Sequence, residues 1–234
     1  MTVRCRFKEI CDAIRVSLSE EELNQFRKTQ FGHLLDVPTY HQFSSQLLWF
    51  FLLRQIKIKK EKEIWMIVNK TPMRLSMTEF SLITGLKFSG GANQELVKTA
   101  LEKNRLKDKY FEGHHTITVS ALKELLPSLA PTKNPPEDIN DDRVKLALFQ
   151  FVVGVVKAQD YNRGIDINLL VMVDNIELFD GCDWGVQAYL WKLNSFKKLD
   201  LKRKIEELNN KGGKKRLSFT VHGFVHVIQV DVSN

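Results

Sequence analysis

Gln46-Leu47-Leu48-Trp49-Phe50-Phe51-Leu52-Leu53-Arg54, then Glu63-Ile64-Trp65-Met66-Ile67-Val68, then Arg74-Leu75-Ser76-Met77-Thr78-Glu79-Phe80-Ser81-Leu82-Ile83-Thr84-Gly85-Leu86: these three successive stretches decide the fold. The first sits in an apolar run over 39–56 in which Phe43, Leu47, Phe50, Phe51 and Arg54 recur at helical spacing. The second is short and β-prone. Asn69-Lys70-Thr71-Pro72 supplies turn chemistry behind it, which predicts a small β-hairpin near 64–75. The third opens on Ser76 with Glu79 three residues later, the spacing of a capping box, and closes on Gly85, a helix-stopping position. All three are built for burial and none for chemistry.

Working outward, residues 8–28 read as helical with a break near 17–19, where Ser19 and Glu22 form a second capping box. The lysine-rich run 57–62 is a solvated connector. A glycine-containing loop over 87–93 precedes helices at about 93–106 and 118–126. Residues 127–142 hold four prolines and four acids and read as a long surface loop between two helical halves. Beyond it come a buried helix from Asp142 to about Ala158, a helix over 168–179, and one capped by Asp183 with Trp184, Ala188 and Trp191 on a stripe. A charged amphipathic helix over 197–210 ends at Gly212-Gly213, and 218–230 closes the chain. The expectation is a mainly α fold, one domain over 1–234, with a single minor hairpin.

Length and composition suit a globular protein: 234 residues, 43% hydrophobic and 27% charged. The longest apolar run, 146–156, is about half of what a membrane span needs, so it is a buried core helix rather than a membrane anchor. The first ten residues carry Arg4, Arg6, Lys8 and Glu9 with no apolar region behind them, unlike a secretory signal. Three cysteines argue for a reducing compartment without a disulfide framework. The net charge of +7 is concentrated: between Lys192 and Arg216 stand ten Lys/Arg against three acids. Within that stripe Lys197, Lys198, Lys202, Arg203, Lys204, Lys214, Lys215 and Arg216 form a loosely bipartite cluster, suited to phosphates, acidic protein surfaces or nuclear import. A solvated helix and loop is the plainer reading, because no aromatic is interleaved within 197–216 to stack on bases.

Other constellations fail on local chemistry. His115, Asp160 and Cys182 occur in the order of a cysteine-protease triad. An acid at 183, beside the thiol, would raise its pKa, the wrong direction for a nucleophile. His222 and His226 share a face, and His114-His115 could add to them, but no cysteine pair or acidic partner completes a zinc pattern. Gly90-Gly91 and Gly212-Gly213 are isolated pairs that match no phosphate-cradling motif. Trp49, Trp65, Trp184 and Trp191 read as core residues. No catalytic residue, cofactor, metal or small-molecule ligand is therefore expected.

An ordered set of motifs carries a family resemblance. The opening run from Phe31-Gly32-His33-Leu34-Leu35 through Leu86 is joined by Asp142-Arg143-Val144-Lys145-Leu146-Ala147-Leu148-Phe149, then Asp183-Trp184-Gly185-Val186-Gln187-Ala188-Tyr189, then 217–230. Together these resemble a plant-specific domain of unknown function found ahead of SUMO-protease-like domains in transposon-derived proteins. In that family 217–230 is a closing helix that continues into a Trp-containing segment, so this chain looks like a short member or a fragment. In SUMO proteases a Gln stands about six residues before the nucleophile and a Gly just after it; here those positions are Ile176 and Asp183. The resemblance implies a non-enzymatic accessory or interaction domain with an unidentified protein partner, nuclear or otherwise cytoplasmic. The alternatives are a nucleic-acid-binding module acting through 197–216, a fragment of a SUMO-deconjugating protease lacking its catalytic domain, or a remnant without selected activity.

Overall fold

The computed structural model describes residues 2–38, 45–56, 58–59, 62–88, 104–114, 116–129, 137–197 and 220–221. Strand β1 (Thr2–Val3) leads into α1 (Phe7–Ser17) and α2 (Glu20–Arg27), followed by a 3-10 turn over Gly32–Asp36. Then come α3 (Ser45–Leu53), β2 (Gln55–Ile56), β3 (Ile64–Val68), β4 (Thr71–Leu75) and α4 (Met77–Thr84). The rest is α5 (Arg105–Phe111), α6 (Val119–Ser128), α7 (Glu137–Phe151), α8 (Ile167–Val173), α9 (Ile176–Gly181), α10 (Trp184–Lys197) and β5 (Thr220–Val221). The mainly α expectation holds.

Both capping boxes form. Ser19 accepts from the Glu22 amide while Glu22 accepts from the Ser19 amide at 2.7 Å, and Ser76 and Glu79 repeat the pattern at the start of α4. Gly85 ends α4 at φ 63°, a left-handed conformation, with the His33 imidazole so close that a Cβ would lie 2.9 Å from Nε2.

Helix α7 is the axis of the molecule. Every residue from 142 to 151 is buried, as is the π-helical turn Val152–Val156 that continues it. Helices α1, α2, α6 and α8 pack around it. Phe151 sits among Phe7, Phe26 and Phe31 at ring separations of 6.5, 6.0 and 5.5 Å. A helix with no polar face is stable only when surrounded. The contiguous apolar core draws on residues before and after 127–142.

Beside this bundle lies a three-stranded antiparallel sheet, ordered β2-β3-β4, one strand more than the hairpin expected. Ile56 pairs with Trp65 and Trp65 with Arg74, while Ile67 pairs with Pro72. The period-two alternation sends Ile64 and Met66 inward and puts Trp65 and Ile67 on the opposite face. The Tyr189 hydroxyl on α10 reaches the carbonyls of Lys62 (2.6 Å) and Leu75 (3.1 Å), tying the sheet to the bundle.

Several boundaries differ from expectation for local reasons. The loop placed at 127–142 is shorter. Helix α6 runs through Pro127 to Ser128, a proline in the last turn forfeiting one i→i−4 bond, and α7 begins at Glu137, while Pro131, Pro135 and Pro136 lie outside the described residues. Of the apolar run 39–56 the described helix is Ser45–Leu53 and the last two residues are β2, with 39–44 outside the described residues. The single helix expected at 168–179 is two, because the Asn175 side chain accepts from the Leu178 amide at 3.0 Å and restarts the helix as α9. Helix is expected across 217–230, but Thr220–Val221 is a strand, parallel to Thr2–Val3. Trp184 is buried as expected, whereas Trp49, Trp65 and Trp191 are only half-buried.

Candidate functional site

Of the predicted basic cluster, Lys197 is the exposed last residue of α10. Lys198, Lys202, Arg203, Lys204, Lys214, Lys215 and Arg216 lie outside the described residues, as do the helix expected at 197–210 past its first residue, the 93–103 part of that expected at 93–106, and His115, His222 and His226. Lys192 does not belong to the surface stripe. It is fully buried, its ammonium 5.0 Å from the Phe196 ring centre, and burial holds its pKa well below that of an ordinary lysine.

Cys182 is built into the core rather than into a reactive cleft. Its Sγ donates to the Leu178 carbonyl at 3.2 Å, and burial, aided by Asp183 and Asp180, pushes the thiol up to about 11. Burial likewise pushes Cys11 up to about 12. Asp160, the acid of the triad pattern, forms an ion pair with Arg4 at 2.8 Å. Among the described residues no group of three His, Cys, Asp or Glu could hold a metal. No described helix is long and apolar enough to cross a membrane.

The motif Asp142-Arg143 at the head of the buried part of α7 organises two polar clusters. The Asp142 carboxylate, 1% exposed, accepts from Arg105 (2.5 and 3.2 Å), Lys109 (2.7 Å) and the Tyr110 hydroxyl (2.8 Å), all on α5. Burial opposes its charge, yet these hydrogen bonds together hold its carboxyl below the usual range. Arg105 also grips Asp174, which Lys145 reaches at 3.2 Å, so α5, α7 and the end of α8 share one ionic latch. Arg143, next in sequence, points elsewhere. It is fully buried, donates to the Ser17 carbonyl at the end of α1, and faces Glu22 at 3.3 Å. Glu22 thus caps α2 with one oxygen and pairs with α7 through the other.

A third cluster joins both ends of the opening run to the Asp183–Tyr189 motif. The Gln30 side chain donates to the carbonyls of Asp180 (2.6 Å) and Cys182 (3.1 Å) and accepts from the Lys87 amide (3.1 Å), while Lys87 Nζ meets the Asp180 carboxylate at 2.7 Å. Gly185 donates its amide to the Lys87 carbonyl at 2.9 Å. A Cβ there would collide with the Phe88 ring and lie 2.7 Å from that same carbonyl oxygen. Phe31 completes the junction, its ring 6.2 Å from Trp184. The described motifs serve as structural joints. Sequence reading found them as motifs but could not see Asp142, Arg143 and Lys192 as buried charges, since the long-range partners decide that.

A family model for a domain of unknown function, DUF1985, matches residues 52–195. No curated protein and no solved structure matches the chain. The matched span begins at the end of α3 and contains the Asp142 latch, Arg143 and the Trp184-Gly185 pair, whereas Ser17, Glu22, Gln30 and Phe31, which contact these groups, precede it and residues 198–219 follow it. With more than half of its length matched, the chain belongs to the DUF1985 family.

Proposed function

We propose that this chain is a non-enzymatic accessory module, derived from a plant mobile-element protein, that works by recognising a protein partner in the nucleus. Its relatives by motif stand ahead of SUMO-protease-like domains, and the module would serve such a protein by positioning it. One observation carries the reading. The polar groups described above hold helices together, whereas the strongest concentration of charge in the sequence follows α10, with nine Lys/Arg against three acids over 197–216.

Charge reversal at Lys202, Arg203, Lys204, Lys214, Lys215 and Arg216 tests it. A fluorescent fusion of the wild-type chain should accumulate in plant nuclei and retain a partner on affinity isolation. The reversed variant should lose both while keeping the wild-type circular dichroism. Equal behaviour of the two would refute the reading. Nucleic-acid binding through the same segment is the second reading, favoured by its bipartite lysines. In anisotropy with labelled duplex DNA it predicts affinity that falls steeply with salt and vanishes on reversal.

A further inference from the structure

We propose that the solvent face of the β2-β3-β4 sheet is a platform for single-stranded nucleic acid. This surface is separate from the 197–216 segment and does not depend on that segment having any function.

The register assembles it. One row across the sheet is Ile56, Trp65 and Arg74; the next is Arg54, Ile67 and Pro72, since the Ile67 amide bonds to the Arg54 carbonyl at 3.0 Å. Ile67 is 46% exposed, and Leu53 and Ile58, which flank β2, are 47% and 37% exposed. These are three of the six exposed large hydrophobics among the described residues. Exposed apolar residues at and beside a sheet face are what an interaction site uses.

Charge names the occupant. Among the described residues of 54–75 stand Arg54, Lys59, Lys62, Lys70 and Arg74 against Glu63. Arg54, Lys59, Lys62 and Lys70 are exposed around the sheet, with Lys62 just ahead of β3 and Lys70 in the turn after it. The indole of Trp65 is held in place by Glu63, which accepts from Nε1 at 2.7 Å, and the Arg54 guanidinium lies 3.5 Å over the Phe50 ring. A fixed indole on a face that also carries Ile56, Ile67 and Pro72, with Arg54 and Arg74 in the same rows, offers stacking for a base and contacts for phosphates. In a duplex the base faces are already stacked, so the fit is to a single strand.

The test is fluorescence anisotropy of a labelled oligothymidylate of about fifteen nucleotides across a salt series. Trp65→Ala should weaken binding about tenfold and Trp65→Phe should largely restore it, because a stacked base is worth roughly that factor. Arg54→Ala, at an exposed site that leaves the fold intact, should lower the slope of log affinity against log salt by about 0.7. The 202–204/214–216 reversal should leave these differences in place, which separates this surface from that segment. Unchanged affinity in both Trp65→Ala and Arg54→Ala overturns the proposal. So does binding to anionic lipid vesicles, or to duplex, in preference to the single strand.

Discussion

Replacing Asp142 by Asn tests whether the ionic latch holds α5 onto the α7 axis. The carboxylate accepts four hydrogen bonds from three donors, and its side chain is 1% exposed. An amide keeps one acceptor and turns two N–H donors toward Arg105, Lys109 and Tyr110. Removing one partner of a buried charge pair costs about 3–5 kcal/mol when the other charge stays buried. Here the Arg105 and Lys109 side chains are 43% and 35% exposed and rehydrate, so the expected loss is nearer ~2–3 kcal/mol. For a chain of this length that lowers Tm by roughly 4–12 °C. Urea unfolding followed by circular dichroism gives the free energy, and amide hydrogen exchange gives the location. Protection should fall first in α5, with the buried part of α7 least affected. The pH dependence has a definite sign. The Asp142 carboxyl is held below its unfolded value near 3.8, so its contribution is complete above about pH 5 and is lost as pH falls through the folded pKa. The Asn variant should lack that acid-side loss. A cost under about 0.5 kcal/mol, or unchanged exchange in α5, would refute the latch.

Lys192→Met should stabilise the protein by on the order of 1–2 kcal/mol at neutral pH, raising Tm by several degrees. Because its folded pKa is depressed, wild-type stability should rise with pH between that value and about 10.4, and the variant should not show that rise; a destabilised Met variant would contradict this. Gly185→Ala should cost about 1–3 kcal/mol through the clash with Phe88 and Lys87, read as a shifted urea midpoint, while Gly181→Ala, with open space around it, should cost far less. Cys182 should resist iodoacetamide at pH 8 in the native protein and react once urea unfolds it, with the modified residue located by mass spectrometry.

Much of the fold was legible because its signals are local. The two capping boxes need only residues three positions apart, and the Gly85 stop needs one backbone angle. The apolar run around 146–156 can be satisfied only by surroundings that bury it. The Asn175 cap is equally local, yet a cap inside an apolar run looks like continuation until the helix ends are known.

The sequence by itself determined the helical class, the sites of the hairpin and the capped helices, and the concentration of positive charge after α10. Only the tertiary structure decided which charges face solvent. Lys192 counts as surface charge in any composition, yet its helix turns it into the core. Asp142 and Arg143 are neighbours in sequence but project to opposite partners, α5 on one side and the α1–α2 corner on the other. The physical reason is that burial and ion pairing depend on what other elements bring within a few ångströms, and those contacts span more than a hundred residues between Ser17 and Arg143.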